Sequence, residues 1–79
     1  MSIREALLAT FLAEPRRVFG VQDVILASRA YYPVSAFQES PDPLHGQSRY
    51  AHEVRSILAR LKADGEISHV GRNQYRLPR

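Results

Sequence analysis

Five apolar residues define one helix of this chain and constrain everything around it. Tyr50, Val54, Ile57, Leu58 and Leu61 recur at helical spacing. At about 100° per residue they fall within an arc of roughly 100°. Ser48 stands where an N-cap belongs, and Gly65 where helices end in the left-handed conformation. The spacing predicts a helix over residues 49–64. Its stripe needs other elements to cover it, and a chain of 79 residues has room for one small core. With no cysteine in the chain, disulfides, thiolate metal sites and cysteine nucleophiles are excluded.

The partners of that stripe are legible upstream. Ser2 and Glu5 form a capping box. Ile3, Leu7, Leu8, Phe11 and Leu12 then recur at helical spacing, and Pro15 stops the pattern, predicting a helix over 3–13. Arg17-Val18-Phe19-Gly20 reads as a short strand entering a turn. Val21, Val24, Ile25 and Ser28 predict a second helix over 21–29. Residues 30–48 are broken by Pro33, Pro41 and Pro43 yet carry Tyr31, Tyr32, Phe37 and Leu44. They read as an ordered insertion over the core, with one helical turn capped by Ser35 and Gln38. A mobile stretch is expected around 40–46, where prolines leave few ladder bonds. Of the two adjacent tyrosines, one is expected buried and one half exposed.

After Gly65, residues 66–70 alternate as a half-buried strand, 71–74 form a turn and 75–77 a return strand. Ile67, Tyr75 and Leu77 are expected to face inward, and Val18 or Phe19 can add a third strand. Leu8, Ile25, Leu58 and Leu61 are expected in the core.

Charge is uneven along the chain. Residues 1–48 hold four arginines against five acids, and residues 49–79 hold six arginines and one lysine against three acids, for a net charge of +3. Arginine suits phosphates and guanine edges because its planar fork donates in pairs. On the predicted third helix, His52, Ser56, Ala59 and Ala63 lie opposite Tyr50, with Arg49 and Arg60 on one flank and Arg55 and Lys62 on the other. A narrow ridge of small residues with basic flanks suits a helix in the DNA major groove.

The stretch Leu58-Ala59-Arg60-Leu61-Lys62-Ala63-Asp64-Gly65-Glu66-Ile67, followed by Gly71-Arg72-Asn73-Gln74-Tyr75-Arg76-Leu77, resembles the end of many winged-helix domains. The order helix, short strand, helix, helix, hairpin resembles that family over the whole chain, although its second and third helices are usually joined by a shorter turn. The resemblance implies an α+β winged-helix domain over 1–79 that binds double-stranded DNA, as a small regulator of transcription or as the DNA-reading module of a larger protein. Arg49, His52, Arg55 and Ser56 are then the candidate base-edge contacts. Ser48, Arg60, Lys62, Arg72, Asn73 and Arg76 are the candidate phosphate contacts, the last three lying on the hairpin wing. The competing reading is a protein-interaction winged helix that docks a partner, or a second copy, through Tyr31, Tyr32 and Phe37.

Other classes find little support. His52-Glu53 lacks a second histidine, since Ser56 stands four residues after His52, and His45 and His69 are scattered, so no metal or other cofactor is expected. No glycine-rich phosphate cradle is present, and so small a core leaves little room for a catalytic cleft; an enzyme is not expected. No long apolar run and no secretory leader is seen. The expected location is the cytoplasm, on the nucleoid if the chain binds DNA.

Overall fold

The computed structural model describes residues 1–44 and 46–78. In chain order the elements are α1 (Ile3–Ala13), β1 (Phe19–Gly20), α2 (Val21–Ala27), a 3₁₀ turn (Ser28–Ala30), α3 (Ala36–Glu39), α4 (Arg49–Ala63), β2 (Ser68–Gly71) and β3 (Gln74–Arg76). The architecture is α+β. Among the described residues it comprises four α-helices and a three-stranded antiparallel sheet in the order β1-β3-β2. None of these helices is long and apolar enough to cross a membrane.

α1 begins as its sequence requires. The Glu5 amide donates to Ser2 Oγ at 3.1 Å, and the Ser2 amide donates to Glu5 Oε1 at 2.8 Å. The buried face differs from the expected stripe. Ile3, Ala6, Leu7, Thr10 and Phe11 are buried, Leu8 is only partly so, and Leu12 is 64% exposed. The shift is possible because the Thr10 hydroxyl donates to the Ala6 carbonyl at 2.8 Å, so the buried hydroxyl is paired. Ala6 and Thr10 lie on the other flank of Ile3, Leu7 and Phe11, so the buried arc is rotated away from Leu8 and Leu12.

α2 buries Val21, Val24 and Ile25, and Ser28 follows them into the core. The helix stops at Ala27 instead of 29. The Ser28 carbonyl accepts from both Tyr31 N and Tyr32 N at 3.0 Å, which tightens the last turn, and Pro33 bars further α-helix.

β1 supplies Phe19, which is buried edge-to-face against Phe11 at 5.0 Å between centroids and pairs in register with Tyr75. The second strand starts at Ser68, not at 66. The Glu66 amide is already committed to the Leu61 carbonyl at 2.9 Å, so it cannot enter the ladder. Ile67 is buried just before the strand, while Tyr75 and Leu77 are partly buried against the same core. The connecting turn is narrower than 71–74, since Gly71 and Gln74 already pair and leave Arg72-Asn73 between them.

The insertion is ordered along much of its length. Ser35 caps α3 together with Gln38, as expected. The loop after α3 is closed by more bonds than its prolines suggest. Arg49 N donates to Ser40 O at 3.0 Å and Asp42 N to Gln47 O at 2.6 Å, around a bridge between Pro41 and Ser48. The expectation of few ladder bonds is thus corrected: the donors come from the residues beside the prolines. The stretch expected to be mobile includes residue 45, which lies outside the described residues. Leu44, in this loop, is 87% exposed.

Leu61 sits at the centre of the core with no exposed surface. Leu61→Ala is expected to cost about 2–5 kcal/mol in urea unfolding. A loss below about 0.5 kcal/mol would place this side chain at the surface and overturn the packing described.

Candidate nucleic-acid interface

Both ends of α4 are fastened by short-range bonds. At the start, Ser48 Oγ accepts from the Ala51 amide at 3.1 Å. At the end, Gly65 takes φ +77°, the left-handed conformation that costs glycine least. Its amide donates to Lys62 O at 3.0 Å while that of Glu66 donates to Leu61 O, the paired closure that ties a helix to the strand after it. Tyr50, Ala51, Val54, Leu58 and Leu61 are buried. Ser56, Ala59, Arg60, Lys62 and Ala63 are exposed, whereas Arg49, His52 and Arg55 are half-buried.

That difference between the two halves of α4 comes from the insertion. Tyr32 stacks on Tyr50, with ring centroids 5.9 Å apart and planes 14° apart. Gln38 Nε2 donates to Tyr32 Oη and to Glu53 Oε1, both at 3.3 Å. The Arg49 guanidinium lies 4.4 Å from the centroid of the Phe37 ring, and its Nε donates to Ser40 Oγ at 3.2 Å. Arg55 Nε donates to Gln47 Oε1 at 3.1 Å. Each of these two arginines engages its Nε–H, and among the described residues its four terminal N–H donors have no hydrogen-bond partner. Arg29 clamps the insertion to the 3₁₀ turn, pairing both oxygens of Glu39 in a fork. The hydrogen bond from Arg29 holds the Glu39 carboxyl below its usual range.

The acids gather around a few of the arginines. Arg4 pairs with Asp64 at 3.2 Å and with Glu66 at 3.7 Å; Arg17 pairs with Glu14 at 2.8 Å and with Asp23 at 3.9 Å. With Arg29–Glu39, five of the eight acids are taken by three arginines. Among the described residues, Arg16, Arg49, Arg55, Arg60, Lys62, Arg72 and Arg76 have no carboxylate partner.

The hairpin carries Arg72 and Asn73 at its tip, both exposed. Asn73 adopts φ 57°, and its carbonyl accepts from Val21 N at 3.0 Å, which pins the tip against the start of α2. Arg76 lies elsewhere. The register Phe19↔Tyr75 and Gly20↔Gln74 puts the tip at one end of the sheet and Arg76 at the other. There it lines a cleft with Pro15, Arg16, Leu77 and Pro78. The candidate residues therefore do not form one surface: α4 and the hairpin tip hold nine of them, and Arg76 stands apart. Arg16 was not foreseen. The signal for it was the antiparallel pairing of the 17–20 strand with 75–77, which carries the preceding turn to the chain's end. The insertion's grip on Arg49 and Arg55 was not foreseen either, because it depends on how 37–47 returns along α4.

Comparisons of the chain with protein-family models, with curated proteins and with solved structures find no match.

Tyr50 joins α4 to the insertion, and its phenol offers a solution test. Burial pushes it above the usual phenol range, although its 2.6 Å hydrogen bond with Ser28 Oγ pulls the other way. A raised value in the folded state favours folding below the ordinary pKa and loses that contribution as pH rises through the folded one. The urea midpoint is expected to fall above about pH 10. Tyr50→Phe should flatten that alkaline limb, and an unchanged limb would assign it to other groups.

Proposed function

We propose that the chain is a winged-helix module that binds double-stranded DNA, with α4 in the major groove and the β2–β3 hairpin on the phosphate backbone. The observation that carries this reading is the separation of charge. Five of the eight carboxylates are drawn onto Arg4, Arg17 and Arg29, while the outer face of α4 presents Arg60 and Lys62 beside Ser56, Ala59 and Ala63 with no acid among them. Small exposed residues let a helix backbone approach base edges, and unpaired cations on its flanks meet phosphates. The order of helices and strands, with β1 as third strand, supports the winged-helix reading. The insertion adds a refinement. By holding Arg49 and Arg55 through Nε it pre-orients their terminal donors, which lowers the entropy lost on binding. On this reading the chain acts on the nucleoid in the cytoplasm, as a small regulator or as the DNA-reading part of a larger protein.

A second reading has one specific observation in its favour. Phe37 is 68% exposed and Tyr31 is also exposed, so the aromatic segment could seat a protein partner.

Titration with a random-sequence duplex at low salt separates the two. The DNA module should bind more tightly than about 10⁻⁴ M, with log K falling against log salt at a slope of about −4 to −5. Arg60→Ala with Lys62→Ala should reduce that slope by about 2 and leave the melting temperature nearly unchanged. Arg49→Ala or Arg55→Ala should lower affinity by about 1–3 kcal/mol. Arg72→Glu should weaken all duplexes equally, since a phosphate contact carries no base information. Wild-type affinity weaker than about 10⁻⁴ M for every duplex would remove the DNA reading and leave the protein module.

A further inference from the structure

We propose that the cleft at the end of the sheet opposite the hairpin tip is a second site, which binds a phosphate ester through Arg16 and Arg76. The pairing of β1 with β3 builds it. Because Phe19 lies opposite Tyr75 in an antiparallel ladder, the turn leading into β1 comes beside the residues that follow Tyr75. The result is an open cleft of about 530 Å³, lined by Pro15, Arg16, Arg76, Leu77 and Pro78. This is a size that holds small organic ligands.

Three observations define what fits there. Arg76 Nε is buried and has no hydrogen-bond partner among the described residues. Buried donors are almost always paired, and an orphan on a cationic group is the kind most expensive to leave unmade. The neighbouring Arg17 is occupied by Glu14 and Asp23, but among the described residues no acid lines the cleft to offset Arg16 and Arg76. The remaining walls are two prolines, which lack an amide donor, and a leucine. Among the described residues, the side-chain donors of the cleft are thus two guanidinium groups. Two cations with several donors each match a tetrahedral dianion better than a planar monoanion with two oxygens. The apolar walls are left for the organic part of the ester.

This site does not rest on the DNA reading. The phosphate could belong to a small free ester or to a nucleic-acid backbone, and the test separates these sources. In ¹⁵N-resolved NMR of the whole chain, inorganic phosphate added at constant ionic strength should shift the Arg76 Nε–H resonance saturably, in the millimolar range. Arg16→Gln, in an exposed turn, should weaken that binding about tenfold while leaving the backbone amide spectrum in place. A response reproduced by chloride, a response equal for acetate, or one indifferent to Arg16→Gln would overturn the site. Adenosine monophosphate binding more tightly than inorganic phosphate supports a free ester as ligand. A shift of Arg76 Nε–H on adding a duplex, retained in the Arg60→Ala, Lys62→Ala protein, supports a backbone phosphate. Duplex binding at α4 without any phosphate response at Arg76 would refute the cleft and leave the DNA reading standing. The reverse result would do the opposite.

Discussion

The fold depends on how the Tyr50 side chain is enclosed. Its ring is fully buried at the first turn of α4, and its hydroxyl meets Ser28 Oγ, itself buried at the end of α2. Tyr32 covers one face of the ring, and the Arg29 guanidinium lies 5.2 Å from its centroid. One side chain therefore holds together the long helix, the 3₁₀ turn and the start of the insertion. A buried aromatic contributes large contact area, but its hydroxyl must be satisfied or the burial is lost. Ser28 satisfies it. That need accounts for the tightened turn at 28–30, since the serine must face α4 at the point where α2 gives way to the insertion.

From that node the insertion runs back along α4 and changes what the helix presents. A bare amphipathic helix would leave long arginines free to sample many rotamers, a freedom worth up to about 2 kcal/mol per side chain when lost. Here Ser40, Phe37 and Gln47 already restrict Arg49 and Arg55. Arg60 and Lys62, beyond the insertion's reach, keep theirs. The same helix thus offers a pre-set half and an adaptable half.

How much of this could be read from residue order differs by element. The ends of α1 and α4 were legible because capping chemistry is local: Ser2 with Glu5, Ser48 alone, and Gly65 past the last turn each act within a few residues. The stripe of α4 was legible because five large apolar residues admit one face. α1 was less so. Leu8 and Leu12 are as apolar as Leu7, and only the fit against α4 and the 3₁₀ turn decides that Ala6 and Thr10 go inward. The strand boundaries were displaced for a similar reason, since the Glu66 amide is taken by the helix closure before the ladder can claim it. At the candidate interface, the residue types and their helical faces could be listed from the chain alone. Their hydrogen-bond partners could not, because those come from 37–47, where three-dimensional return and not periodicity sets the contacts. Arg16 and Arg76 are sixty positions apart and meet only through strand pairing.

The sheet also determines how copies of this protein can meet. Its two outer strands are β1 and β2. β1 is two residues long and passes directly into α2. β2 is four residues long and breaks register between His69 and Gly71, so Val70 bulges outward and is 47% exposed. A short edge and a bulged edge are poor templates for another strand, because neither offers a flat row of evenly spaced donors and acceptors. Self-association by extending the sheet is therefore disfavoured by construction. The protein can thus expose an apolar residue on its hairpin without presenting a flat strand edge beside it.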